Sequence, residues 1–465
     1  MKGELVTRGT ILTTVVLTAL CPVVCPAAEI TIGAGESIQA ALDTATPGDT
    51  ILLTGSVYHE NLVIDVPVTL VSGLGSTIRG GYEGMVVHIR AAGTVIDGLT
   101  ISEAGPHLTK DMACVLIEAD DVVVRNCAIT ESLHGIYVKA GQRVRIIDNT
   151  ISGRLDLIES DRGNGIHLWN TAGNTIEGNE IFQVRDGIYF SFANETEISR
   201  NHIHQVRYGL HYMYSNNNSF TENLFENNVA GAALMYSEDI DFERNTFARC
   251  RGFRSYGILL QSMARVTAQN NLILDNSRGI FMNNTNASAI TRNDVVDNDL
   301  AVQLNGGCDE NSFYDNNFIN NLSELLLDVS DRETRWANDE NGNFWSRYRG
   351  YDLDRDGIGD VAFVIQNVFQ ILESDVPEVR FYLLSPAAEL LRAAEETLPI
   401  LRLGDAEDPL PLMQPRTNDE VPWEAVSSFS THSNPIWAMV FLVGAFAPAG
   451  FLLHRSRRPS AGRSR

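Results

Sequence analysis

Gly165-Ile-His-Leu-Trp169, Gly187-Ile-Tyr-Phe-Ser191, Gly209-Leu-His-Tyr-Met213, Gly231-Ala-Ala-Leu-Met235, Gly257-Ile-Leu-Leu-Gln261 and Gly279-Ile-Phe-Met-Asn283 are rows of one repeat. Their glycines lie 22 residues apart, except for one step of 26 from Gly231 to Gly257. A second column, Asn179, Asn201, Asn223, Asn245, Asn271 and Asn293, keeps the same steps and the same interruption. A period of this length in short apolar-alternating segments marks stacked structural units. Ile188 and Phe190 share one face of their row, and Tyr189 and Ser191 share the other. The first pair continues an apolar column (Ile166/Leu168, Leu210/Tyr212, Ala232/Leu234, Ile258/Leu260, Ile280/Met282), which must point inward. We therefore expect an all-β chain, a right-handed parallel β-helix of about 22 residues per coil with coils ~4.8 Å apart. Asn, Gly, Ser and Asp would supply left-handed corners. The Asn column should stack its amides along one corner, a structural role.

The rest of the chain is organised around this rod. Residues 1–28 read as a secretory signal: Lys2 and Arg8 precede the apolar run Ile11–Leu20, and Cys25-Pro-Ala-Ala28 offers a cleavage site. Leu20 is too bulky before Cys21 for lipidation. Residues 29–330 hold the solenoid, opened by a short capping helix in Glu36–Asp43. Roughly 13 coils would give a rod of ~60 Å. Residues 331–365 form an acidic capping segment. Residues 366–402 form a partner-docking segment with an amphipathic helix from Pro386, behind a Ser385 cap, to about Leu401. Residues 403–434 read as an acidic, Pro-rich linker. Residues 435–453 are apolar throughout and long enough for one transmembrane helix, and the basic tail 454–465 would stay cytoplasmic. The rod would then be periplasmic and tethered to the inner membrane. A net charge of −24 argues against nucleic-acid binding. The cysteines show no metal spacing, and Cys114 falls on the inward parity as an apolar filler.

Interruptions of the repeat locate a working face. Gly135 to Gly165 and Asn149 to Asn179 both span 30 residues, so eight extra residues lie in Ser152–Gly163. Four more lie between Asn245 and Gly257, and a third insertion falls between Gly98 and Ala113. All precede the Gly strand on one corner, and insertions gathered on one side of a solenoid mark its functional side. Outward positions on the bracketed coils are His167, Trp169, Tyr189, Ser191, His211, Met213 and Met235. Solenoid geometry sets His211 beside Met213 and puts Met235 one coil away, while Tyr189 separates His167 from His211. His202 and His204 point out from a neighbouring strand. Methionine is normally core filler, and exposed thioether with imidazole is a soft ligand set suited to Cu(I). The copper candidates are His211, Met213, Met235 and His167, with His202 and His204 secondary and His88, His107 and Met112 weaker still. Trp169 and Tyr189 offer a binding surface, whereas Cys127 and His134 read as structural. Asp352, Asp354, Asp356 and Asp360, with Gly357 at the sixth position, match part of a calcium loop, but Phe363 stands where a bidentate Glu is expected.

An exported β-helix carrying Gly-Ile-His-Leu-Trp-Asn170, Gly-Leu-His-Tyr-Met-Tyr-Ser-Asn216 and the segment Asn343–Asp360 resembles the NosD family, the periplasmic copper-binding maturation proteins of nitrous oxide reductase. The resemblance implies a copper-handling maturation factor that is not an enzyme and has no catalytic residues. It implies an ABC-type complex with the NosF ATPase and NosY permease, and a copper chaperone, NosL, as donor. The competing expectation is a polysaccharide-active β-helix, a lyase, hydrolase or epimerase. Such an enzyme needs paired carboxylates, or a carboxylate-bound Ca2+ with Arg or Lys, facing one groove. Asp156, Glu159, Asp161 and Arg162 are its candidates, but they share one inserted loop. A sugar- or protein-binding adhesin using Trp169 and Tyr189 is the third expectation.

Overall fold

The computed structural model describes residues 27–365 apart from 74, 108–109 and 329–332, scattered positions between 372 and 391, and residues 406–423 apart from 418–419. Short parallel strands stack into a 23-stranded and a 13-stranded sheet, and the smaller sheet keeps strict chain order from Val57–His59 to Phe344–Trp345. That is one strand per coil, the parallel β-solenoid expected from the period. Register follows the repeat: Ile188 pairs with Leu210, and Leu210 with Ala232. The inward column of Ile188, Phe190, Leu210, Tyr212, Ala232 and Leu234 is fully buried. Like side chains therefore stack on like, and Phe225 lies on Phe247 with ring centroids 5.1 Å apart. The helix Ile38–Leu42, N-capped by Ser37, covers the first coil with buried Ile38, Ala41 and Leu42.

The Asn column forms the expected ladder. Nδ2 of Asn179, Asn201 and Asn223 each donates to Oδ1 of the next Asn at 2.9 Å. The same amides also donate to the carbonyls of Ile146, Ile176 and Ile198. Each buried amide is thereby satisfied, where an orphaned one would cost about 1–3 kcal/mol.

The left-handed corners differ from expectation. They fall on the residue before each ladder Asn: Gly178, Arg200, Glu222, Arg244 and Asn270 have φ between 53° and 67°. The Gly column serves another purpose. A Cβ on Gly231 would lie 2.7 Å from the Gly257 carbonyl oxygen, and one on Gly257 equally close to that of Gly279. Glycine stands there because the next coil's backbone leaves no room.

Two segment boundaries need correction. The solenoid runs past residue 330, because Phe344 and Trp345 pair with Asn317 and Phe318. Most of the expected 403–434 linker that is described is a strap on the rod. Glu407–Asp408 pairs antiparallel with Phe363–Val364. Arg416 exchanges backbone bonds with the Asn317 amide, and Trp423 Nε1 donates to Asp294. Val421 is buried against a cluster containing Leu272, Leu274 and Val296. The cause is Asp408, whose carboxylate takes the acceptor position of the next Asn in the ladder by accepting from Asn343 N–H at 2.7 Å. The signal (but for its last two residues), most of the helix from Pro386, the span 435–453 and the tail 454–465 lie outside the described residues. Among the described residues no helix is long and apolar enough to cross a membrane.

One buried carboxyl near the rod's end sets a pH dependence. Burial pushes Glu324 from 4.5 up to about 7, against the opposing effects of Arg347 and the Asn321 hydrogen bond. The folded chain thus holds a proton that the unfolded chain releases near its ordinary pKa. Between the two values the folded state binds more protons, so stability falls as pH rises through this window, by about 3 kcal/mol in all. Glu324→Gln should flatten that slope in denaturant titrations at pH 5, 6, 7 and 8. An unchanged slope would show that this carboxyl is not the source.

Candidate functional site

The strands Asn164–Ala172, Asp186–Asn194, Tyr208–Met213 and Ala230–Glu243 carry the outward residues between buried core positions. Parallel register sets His167 against Tyr189, Tyr189 against His211, Ser191 against Met213, and Met213 against Met235. The two methionines are therefore rung neighbours, and His211 lies two residues before Met213 on the same part-exposed face. Beside them runs a column of rings. Tyr137 stacks on His167 at 4.4 Å, and Tyr189 meets His167 and His211 edge-on at 4.7 and 4.9 Å.

A carboxylate that pattern analysis did not single out organises His211. Asp186 is fully buried. Its Oδ2 lies 2.9 Å from His211 Nδ1 and accepts from Arg207 Nη2 at 2.7 Å, while Oδ1 accepts from Arg207 Nε at 2.8 Å. Burial would raise this carboxyl, but the bonds and charges of His211 and Arg207 outweigh it and hold it below the usual carboxylate range. An ionised Asp186 accepts the hydrogen bond from His211 Nδ1–H, which leaves Nε2 as the ring nitrogen for a ligand. Metal-ligating histidines are oriented in this way by a carboxylate behind them. The repeat does not mark Asp186, because its column holds Asn164 and Tyr208 on either side.

His167 is set apart. Burial, then the neighbouring His134, Arg185 and His211, lower its pKa to about 3. Burial and Arg185 lower His134 to about 4. Both imidazoles are neutral at neutral pH. His134 Nδ1 accepts from Asn164 N–H at 3.0 Å. An open groove of about 800 Å3 contains His134, Tyr137, His167, Trp169, Tyr189 and His211 in its wall. Asp111, from the first inserted loop, and Lys139, Arg185 and Arg207 add charge to it. Ser191 lines the groove and pairs with Met213, so the methionine pair lies beside the groove and not in its lining. Trp169 is 39% exposed.

Register thus makes Met213 and Met235 rung neighbours, sets His211 two residues before Met213 on the same face, and places His167 two strands away from His211. His202 and His204 stand on the other sheet, beside Glu180, and are not part of that cluster. Asp352, Asp354 and Asp356 approach one another within 4.8 Å, whereas Asp360 turns to the Leu353 N–H. The carboxylates considered for an enzyme do not line this groove. Asp156 pairs with Arg154, Arg162 donates to the Leu157 and Gln183 carbonyls, and Glu159 and Asp161 are exposed. Cys114, Cys127, Cys250 and Cys308 are buried. Burial pushes the Cys114 and Cys250 thiols up to about 12 and the Cys127 thiol to about 11, so these three are protonated and poor ligands.

Comparison with known proteins adds three findings. The family described as "Periplasmic copper-binding protein (NosD)" matches residues 147–350, and a family of unknown function matches 36–242. A Pseudomonas aeruginosa protein named "Probable ABC transporter binding protein NosD" is 35% identical over 378 residues, which is 78% of this chain and 87% of the relative. Its counterpart of the same name from Stutzerimonas stutzeri is 32% identical over 78% of this chain and 86% of its own length. Among solved structures, a mannuronic acid specific family 6 polysaccharide lyase from human gut microbiota aligns with a TM-score of 0.46 at 14% identity, over 67% of this chain and 87% of its own.

Proposed function

The chain belongs to the NosD family of periplasmic copper-binding proteins, and from that premise we propose that it is a copper-handling maturation factor rather than an enzyme. Copper is its cargo, held as Cu(I) by His211, Met213 and Met235. The observation that carries this reading is the Asp186-anchored imidazole beside a register-paired, part-exposed methionine couple. Thioethers have little affinity for Zn(II), Ca2+ or Mg2+ and suit Cu(I). Neutral His167, with Trp169 and Tyr189 in the adjoining groove, would receive the protein that delivers or accepts the ion. By family likeness that donor is a NosL-type chaperone and the destination is nitrous oxide reductase. The relatives' names support work beside an ABC transporter, with NosF-like and NosY-like subunits. The apolar run 435–453 would hold the rod at the inner membrane near that complex.

Nitrous oxide reductase isolated from cells carrying only the His211→Ala/Met213→Ala/Met235→Ala variant should be copper-depleted, by metal analysis and visible absorption. Immunoblotting should show the variant at normal level. A fully copper-loaded reductase in such cells would contradict the proposal.

A further inference from the structure

Around the corner from the methionine pair, the strand His202–His204 carries two imidazoles on one outward face. Register places Glu180 opposite His202 and Phe182 opposite His204. One donor atom from each of Glu180, His202 and His204 lies within 4.8 Å of the others. Both rings are already held. His204 stacks on Phe182 with centroids 5.2 Å apart and planes 6° from parallel, and lies 4.4 Å from the His202 ring. His202 Nε2 sits 2.9 Å from Oε1 of the buried Glu226, which also pairs with Arg249.

His204 Nε2 is shielded from solvent and has no hydrogen-bond partner. Its nearest carboxylate oxygen, Glu180 Oε1, is 3.6 Å away. That is beyond hydrogen-bond range. Two donors bound to one tetrahedral ion at about 2.0–2.2 Å stand about 3.3–3.6 Å apart. The spacing therefore falls in the range of two ligands that share one tetrahedral ion.

We propose that Glu180, His202 and His204 form a second metal site, for a divalent cation of the Zn(II) class. Two imidazoles and a carboxylate are a borderline donor set with no sulfur, and three protein ligands leave a fourth position open. The rod then carries two sites of different softness on successive strands, since His202–His204 is joined to Tyr208–Met213 by only residues 205–207. The inference rests on no part of the copper assignment.

Equilibrium dialysis of the full chain against buffered Zn(II), read by metal analysis, tests it. The parent should retain one Zn(II) that His202→Gln/His204→Gln loses. Glu180→Gln alters an exposed side chain, so it leaves the fold intact, and should weaken retention at least about 10-fold. Co(II) in place of Zn(II) should give the absorption of a tetrahedral N/O site. His211→Ala/Met213→Ala/Met235→Ala should keep the Zn(II). Unchanged affinity in Glu180→Gln, or loss of the Zn(II) in the methionine variant, would overturn the proposal.

Discussion

The His211→Ala/Met213→Ala/Met235→Ala variant should bind Cu(I) more than about 100-fold more weakly than the parent in competition with a chromophoric Cu(I) chelator. Removing an outer partner of a metal ligand already costs about 10–100-fold, and here the ligands themselves go. Compensation by cysteine is closed off among the described residues, because Cys114, Cys127, Cys250 and Cys308 are all buried. Asp186→Asn should give the intermediate result. It keeps the shape but loses the charge that receives His211 Nδ1–H and the paired Arg207. Affinity should fall within the 10–100-fold range, with Met213 and Met235 still contributing. Equal affinities in the parent and the triple variant would remove the proposed site.

The second large effect is structural. Asp408→Ala should cost about 4 kcal/mol in urea unfolding and release the strap. The carboxylate accepts from Asn343 N–H, Trp345 Nε1–H and Leu410 N–H. Alanine leaves buried donors orphaned, each at about 1–3 kcal/mol, and reopens the end of the Asn ladder. Hydrogen exchange should lose protection over 406–412 first, the part nearest Asp408, because Asn317 still holds Arg416 through two bonds and Asp294 still holds Trp423. Asp408→Asn should be milder, because its amide oxygen still accepts. Unaltered protection of this segment would mean that Asp408 does not hold it.

The two columns that defined the fold were legible for one physical reason. A solenoid repeats each environment at a fixed period, so the same residue type recurs wherever the environment is stringent. The Asn ladder is such a case. The Gly column was equally visible, but its cause was not, because sequence does not separate a glycine needed for φ from one needed for lack of space. Period and parity together also placed His211, Met213 and Met235 on one outward face, and the register agrees. They could not expose Asp186, whose partner lies 25 residues on and whose own column is not repeated. The strap was misread because acidic, Pro-rich composition looks like a linker, and the contact that fixes it joins residues 65 apart with no periodic mark. The separation of His202 and His204 from the copper candidates depended on which sheet each strand joins.

The most direct measurement is X-ray absorption at the copper edge of the parent chain carrying one Cu(I). The account predicts a first shell containing two sulfur scatterers and imidazole nitrogen, with the sulfur absent in Met213→Ala/Met235→Ala. A shell of nitrogen and oxygen alone, or sulfur that survives loss of both methionines, would contradict it.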